Sequence, residues 1–236
     1  SVRAETIQAP SGQKTIWDGV YTKAQAERGK ALYAQYCASC HSESMIGGAS
    51  QGAPALKGDK FMEAWREDTL ESFYTKTRTT MPRRDNKTLN DQETIDLTAF
   101  VLQANEMPEG VELTTPMLDH ILIQRKDGPK PLPNYAIISV VGCLEKDGDN
   151  WALTKSGVPA RIRAAQAASP EELKAADKKM LGDKTYRLAN MAMLGAFNPD
   201  EHKGHKMIAK GPLIRQGSAE RVSVAELQMV SASCNP

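Results

Sequence analysis

The sequence predicts a two-domain chain of mixed class, an all-α first half followed by a mostly-β second half. Three observations carry that reading. Residues 22–106 hold helix caps and apolar residues at helical spacing, whereas residues 135–230 hold short alternating runs broken by turn residues. Between them, Pro116, Gly128, Pro129, Pro131 and Pro133 crowd one short segment. The expected divisions are a flexible lead at 1–14, a helical domain at 15–112, a linker or surface strap at 113–133, and a β-rich domain at 134–236. A chain of 236 residues is long enough to bury two modest cores.

Each helical element has a local signal. Thr22 with Gln25 three residues on is a capping-box spacing, and it opens a helix over 23–36. Ala24, Arg28, Leu32 and Tyr36 mark one face of it, with Gly29 and Tyr33 on the adjoining face. The stretch from 42 to 60 is rich in Gly, Ser, Ala and Pro and reads as a loop wrapping something. Short helices follow in KFMEAW and DTLESFYTKTR, the second ending before TTMPRR. Asn90 with Glu93 caps DQETIDLTAFVLQANE, where Ile95, Ala99 and Leu102 lie beside Leu97 and Phe100. Met107-Pro108-Glu109-Gly110 stops it.

In the second half, YAIISVVGCLEKD and WALTK flank the turn DGDN and read as a hairpin. Ser169-Pro170-Glu171-Glu172 opens a short helix with proline in its first turn. TYRLAN, HKMIAKGPLIR and RVSVAELQMV are strand-like.

Bulk properties exclude some function classes. The net charge is +1, split as −3 over residues 1–116 and +4 over residues 117–236. Neither half has the concentrated basic face that nucleic acid requires. The longest apolar run, AIISVVG, falls far short of the roughly 20 residues that span a bilayer, so no transmembrane segment is expected. The polar opening SVRAETIQAPSGQK reads as the tail left after a leader is removed.

The chemistry-bearing motif is CASCH, Cys37 to His41. Tetrahedral zinc needs four ligands, commonly two close pairs, and Cys143 and Cys234 lie far away in the other domain. A redox dithiol belongs after a strand and at the start of a helix, whereas this motif follows a helix. Covalent haem fits both constraints: thiols three residues apart add to the two vinyl groups of one porphyrin edge, and the adjacent imidazole ligates the iron. One covalently attached haem c, with its iron, is the expected cofactor.

Around this motif, residues 17–107 resemble a class I cytochrome c. That family has a small residue eight positions before the first haem cysteine and an aromatic four before it, here Gly29 and Tyr33. Both would pack against the terminal helix at LTAFVL (97–102), and a glycine lets two helices cross closely. A proline–leucine stretch past the histidine matches Pro54 and Leu56 in GAPAL. The resemblance implies that the Pro54 carbonyl accepts the free N–H of His41. It also implies a methionine before a proline as sixth ligand, which Met81-Pro82 supplies 40 residues after His41. The rivals are Met45, Met62, Met107 and, outside the cytochrome unit, the nearby His120 and the more remote His202 and His205.

A His/Met pair leaves no open position on iron and raises its potential, which describes a carrier of one electron and no catalytic residue. Two alternatives stand beside it, a haem enzyme and a haem-based ligand sensor, both needing a labile sixth ligand. Trp65 either hydrogen-bonds a haem propionate or fills the core. Arg78, Arg83, Arg84 and Lys87 surround Met81, as a basic collar for an acidic redox partner or as a merely solvated loop.

Haem attachment at C-x-x-C-H takes place outside the cytoplasm in the family. The resemblance thereby implies a secreted or periplasmic protein and makes a Cys143–Cys234 disulfide credible. The second half resembles a small OB-type β-barrel, a fold that does not by itself carry a function. The expected protein is the cytochrome subunit of a larger oxidoreductase, respiratory or photosynthetic assembly. Its partners are redox proteins, and its β domain serves as a docking module.

Overall fold

The computed structural model describes residues 14–48, 52–83, 87–217 and 219–234. The chain divides into two compact units, the first ending at Pro131 and the second beginning at Leu132. Apart from Lys14, the lead expected at 1–14 lies outside the described residues.

The first unit is helical. Strand β1 (Lys14–Thr15) precedes helices α1 (Lys23–Tyr36), α2 (Ala38–His41) and α3 (Gly58–Trp65), then β2 (Asp68–Thr69), α4 (Leu70–Thr80) and α5 (Asp91–Ala104). Thr22–Gln25 and Asn90–Glu93 form complete capping boxes at the starts of α1 and α5. Each therefore satisfies two otherwise orphaned groups in the first helical turn. Helices α1 and α5 cross closely at Gly29, where an added Cβ would stand 1.9 Å from the Asp96 carbonyl oxygen. Tyr33 packs on Phe100 one turn further on, ring centroids 5.3 Å apart. Arg28 then clamps the crossing from outside, its Nε and Nη2 donating to the buried Asp96 carboxylate at 2.7 and 2.8 Å.

The segment 113–133, which its prolines mark as a linker or strap, is folded into the first unit as far as Pro131. It holds a 3-10 helix (Thr115–His120) and strand β3 (Ile121–Ile123), which pairs parallel to β1 and antiparallel to β2. The physical reason is apolar burial. Leu113, Leu118, Ile121 and Ile123 sit in the same core as Phe61, Leu70 and Leu102, and the prolines only shape the path between them.

The second unit contains β4 (Ile137–Asp147), β5 (Asn150–Ser156), β6 (Ala160–Arg161), α6 (Pro170–Lys178), β7 (Lys184–Ala189), β8 (Lys206–Gln216), β9 (Ala219–Ser223) and β10 (Glu226–Ser231). The ladder runs β4-β5-β7-β9-β8 and returns to β4, closing a five-strand barrel, with β6 and β10 at its margins. Its pairs are antiparallel except β7–β9, which is parallel. The run RVSVAELQMV therefore divides into β9, which closes the barrel, and β10, which pairs with β8. Closure removes the exposed edges that an open sheet would present. Inside lie Ile138, Leu153, Tyr186, Met207, Leu213 and Val222.

Two buried lysines of β8 hold α6 to the barrel. Lys206 Nζ donates to the carbonyls of Asp177 and Lys179 at the helix C-terminus, at 2.6 and 2.9 Å. Lys210 Nζ donates to both oxygens of Glu172, in the first turn, at 2.9 Å. Cys143 and Cys234 form a disulfide that ties the end of the chain to β4.

Candidate functional site

Helix α1 ends where CASCH begins. The Cys37 N–H still donates to the Tyr33 carbonyl at 2.9 Å, and the His41 N–H donates to the Cys37 carbonyl at 2.9 Å. The motif is thus one further helical turn, with Cys37 and Cys40 three residues apart on the same side. Both lie outside the disulfide, which joins Cys143 to Cys234. Burial, and then the neighbouring Cys40, push the Cys37 thiol up to about 11.

His41 is buried, and its Nδ1 stands 2.8 Å from the Pro54 carbonyl oxygen. A carbonyl only accepts, so Nδ1 is the donor of this bond, and in the neutral ring the lone pair falls to Nε2. Pro54 is brought there by the loop after the motif. Gly47 N–H donates to the His41 carbonyl at 3.1 Å, Gly48 N–H to the Ala53 carbonyl at 3.2 Å, and Leu56 N–H to the Met45 carbonyl at 2.8 Å. The Gly47-Gly48 pair has no room for side chains: a Cβ on Gly47 would meet the Ala53 carbonyl oxygen at 2.6 Å, and one on Gly48 the Cys40 carbonyl oxygen at 2.4 Å. Sequence reasoning saw these glycines only as loop composition. Their adjacency soon after the CASCH turn is the signal that was available.

Tyr33 has a second role besides packing. Its hydroxyl donates to the Ser42 carbonyl at 2.7 Å and so fastens the residue after His41. Trp65 is half-buried with its ring edge-on to Phe73, centroids 5.0 Å apart. Leu56 is partly buried against the same core.

Met81 stands on a different element. It is the C-terminal cap of α4, half-buried, with extended backbone, its N–H donating to the Thr77 carbonyl at 3.2 Å. Met45, Met62 and Met107 are core residues. His120 is exposed beside Asp119. His202 and His205 belong to the second unit, where their Nδ1 atoms lie 3.2 Å apart and Phe197 stacks on His202. Among the described residues no group of three or more His, Cys, Asp or Glu side chains is arranged to hold a metal ion.

The four basic residues around Met81 differ from one another. Arg78 Nε donates to Asp91 at 2.9 Å and Lys87 Nζ to Glu93 at 2.6 Å, so both charges are matched at the start of α5. Arg83 is exposed, and Arg84 lies outside the described residues.

Residues 24–101 match the family model described as "Cytochrome C oxidase, cbb3-type, subunit III". This segment is a cytochrome c domain. The β-rich domain lies outside the match. Among solved structures, the crystal structure of the sulfane dehydrogenase SoxCD from Paracoccus pantotrophus is similar, with 24% identity over 52% of this chain and 70% of that one. Its TM-score is 0.37, too low to carry an argument about function. No curated protein matches the chain. A cytochrome c domain implies haem binding, and the donor set present suits that group: two cysteines on one turn and a buried imidazole whose Nδ1 is engaged by the Pro54 carbonyl, leaving Nε2 as the ring atom that could face a metal.

Proposed function

We propose that this protein transfers single electrons through one haem c. Cys37 and Cys40 would attach it covalently, and His41 and Met81 would be the axial ligands. Bound there, the haem supplies an iron that alternates between two oxidation states one electron apart. The observation that carries the reading is the 2.8 Å contact from His41 Nδ1 to the Pro54 carbonyl on the CASCH turn.

The chain's own residues do the rest. Pro54 fixes the imidazole tautomer and ring orientation, so Nε2 is a stronger donor than an unsupported histidine. Tyr33, through Ser42, and the Gly47-Gly48 pair hold the peptide on both sides of that ring. Such restraint suits electron transfer, because a ligand that cannot shift needs little rearrangement when charge changes. Met81 would offer a soft thioether, a donor that favours the reduced metal.

The donor and acceptor are then redox proteins, and we place the chain as the cytochrome subunit of an extracytoplasmic, multi-subunit oxidoreductase. Supporting this, the Cys143–Cys234 disulfide suits an oxidising compartment. The β-rich barrel, with its exposed Met180, Met193 and Val158, would be the docking module. Among the described residues no helix is long and apolar enough to cross a membrane. Exposed Arg83 would meet an acidic partner surface near Met81.

The test is direct. Holoprotein should retain haem after denaturing extraction, show the intact mass of one haem per chain, and titrate as a single one-electron wave. Haem released by the denaturant, or haem retention unchanged in Cys37→Ser and Cys40→Ser, would contradict covalent attachment.

A further inference from the structure

Asn105, at the C-terminal cap of α5, joins that helix to the segment that holds His41. Its Nδ2 donates to the Val101 carbonyl at 2.8 Å, within the helix, and to the Leu56 carbonyl at 2.9 Å, across the loop. Its Oδ1 accepts the Gly58 N–H at 2.8 Å. The Leu56 N–H is engaged on the opposite side by the Met45 carbonyl, so the backbone of Leu56 is held from both ends. Two residues earlier, Pro54 presents its carbonyl to His41 Nδ1. One residue earlier again, Ala53 is pinned by the Gly48 N–H. Pro54 is therefore suspended between two fixed points, one on the CASCH side and one supplied by Asn105.

We propose that Asn105 is a positioning residue for His41, acting through Leu56 and Pro54. Holding the Pro54 carbonyl in place sets the strength of the Nδ1–H···O bond and with it the electron donation from Nε2. The side-chain chemistry is specific. One planar group must offer two donors and an acceptor at this distance from the helix end, which an amide does. Aspartate has the same shape but no N–H to give, and serine has a single hydroxyl. The proposal rests on the reading above only in taking His41 as an iron ligand.

The experiment uses reduced holoprotein and follows solvent exchange of the His41 Nδ1 proton by NMR, with global stability measured alongside. The variants are Asn105→Ala and the same-shaped Asn105→Asp. Tyr21→Phe is the control: it removes the buried bond from the Tyr21 hydroxyl to the Met107 carbonyl, two residues past the same cap, without touching residues 53–58. Exchange should quicken by about tenfold in both Asn105 variants, the effect of losing roughly one hydrogen bond's local stability. Tyr21→Phe should leave it within about twofold. An unchanged rate in Asn105→Ala, a wild-type rate in Asn105→Asp, or equal quickening in Tyr21→Phe would overturn the proposal. The carrier reading fails differently, by carbon monoxide binding at the Met81 side in wild type, which leaves the His41 proton measurable.

Discussion

Gly29 lies against the backbone of Asp96, where a single added methyl group would sit 1.9 Å from the carbonyl oxygen and 2.9 Å from the Phe100 Cβ. Neither atom belongs to a flexible side-chain end, so α1 and α5 would have to separate. Gly29→Ala should destabilise the cytochrome c domain by about 3 kcal/mol or more, the upper range for overpacking. Chemical denaturation checks this, and a change below about 1 kcal/mol would show that the crossing has slack.

A second prediction concerns acid. Burial works to raise the carboxyl of Glu172, but the bonds from Lys210 and the Ser169 backbone outweigh it, and the net shift is downward. A depressed folded-state pKa contributes stability above the unfolded value, about 4.3, and loses it as pH falls through the folded value. Amide protection in α6 should therefore decline below about pH 4. Glu172→Gln should flatten that dependence, measured by hydrogen exchange across the acid range.

The Cys143–Cys234 bridge spans 91 positions. The chain-entropy estimate gives about 4–5 kcal/mol for a loop of that size. A Cys143→Ser, Cys234→Ser double variant should lower the denaturation midpoint of the barrel and speed exchange in β4 and β8. Haem content should stay unchanged, since Cys37 and Cys40 are untouched. An unaltered midpoint would contradict an entropic contribution of that size.

Local chemistry was legible in the sequence wherever it was encoded by neighbours. The ends of α1 and α5 are written in Thr22–Gln25 and Asn90–Glu93, whose side chains close capping boxes within three residues. The turn at CASCH is equally local, with the His41 N–H bonded to the Cys37 carbonyl four residues back. What failed to show was long-range. Ile121 and Ile123 look like sparse apolar residues among prolines until β1 and β2 pair with their strand from more than fifty positions away. The parallel β7–β9 pairing that closes the barrel has no local pattern either. The basic residues near Met81 read in the sequence as one group, either a collar or a solvated loop, yet two of the four are matched by Asp91 and Glu93, which sequence alone assigns to a helix start.

That distinction makes a prediction about docking. Arg83→Glu should slow electron exchange with an acidic redox protein at low ionic strength and weaken its salt dependence. Lys87→Gln should act mainly by loosening the start of α5, because its charge is already paired with Glu93. Stopped-flow rates across a salt series separate the two. Equal kinetic effects from both variants would remove Arg83 from the docking surface.

The central claim is that His41 and Met81 close both axial positions of one haem iron. The measurement that reaches it most directly is the optical spectrum of oxidised protein, followed by addition of carbon monoxide to the reduced form, for wild type and Met81→Ala. The account predicts a weak red charge-transfer band from thioether-bound ferric iron and no carbon monoxide binding in wild type, with the band lost and carbon monoxide bound in Met81→Ala. A wild type that lacks the band and binds carbon monoxide readily would contradict it, and would move the chain from electron carrier to haem enzyme or sensor.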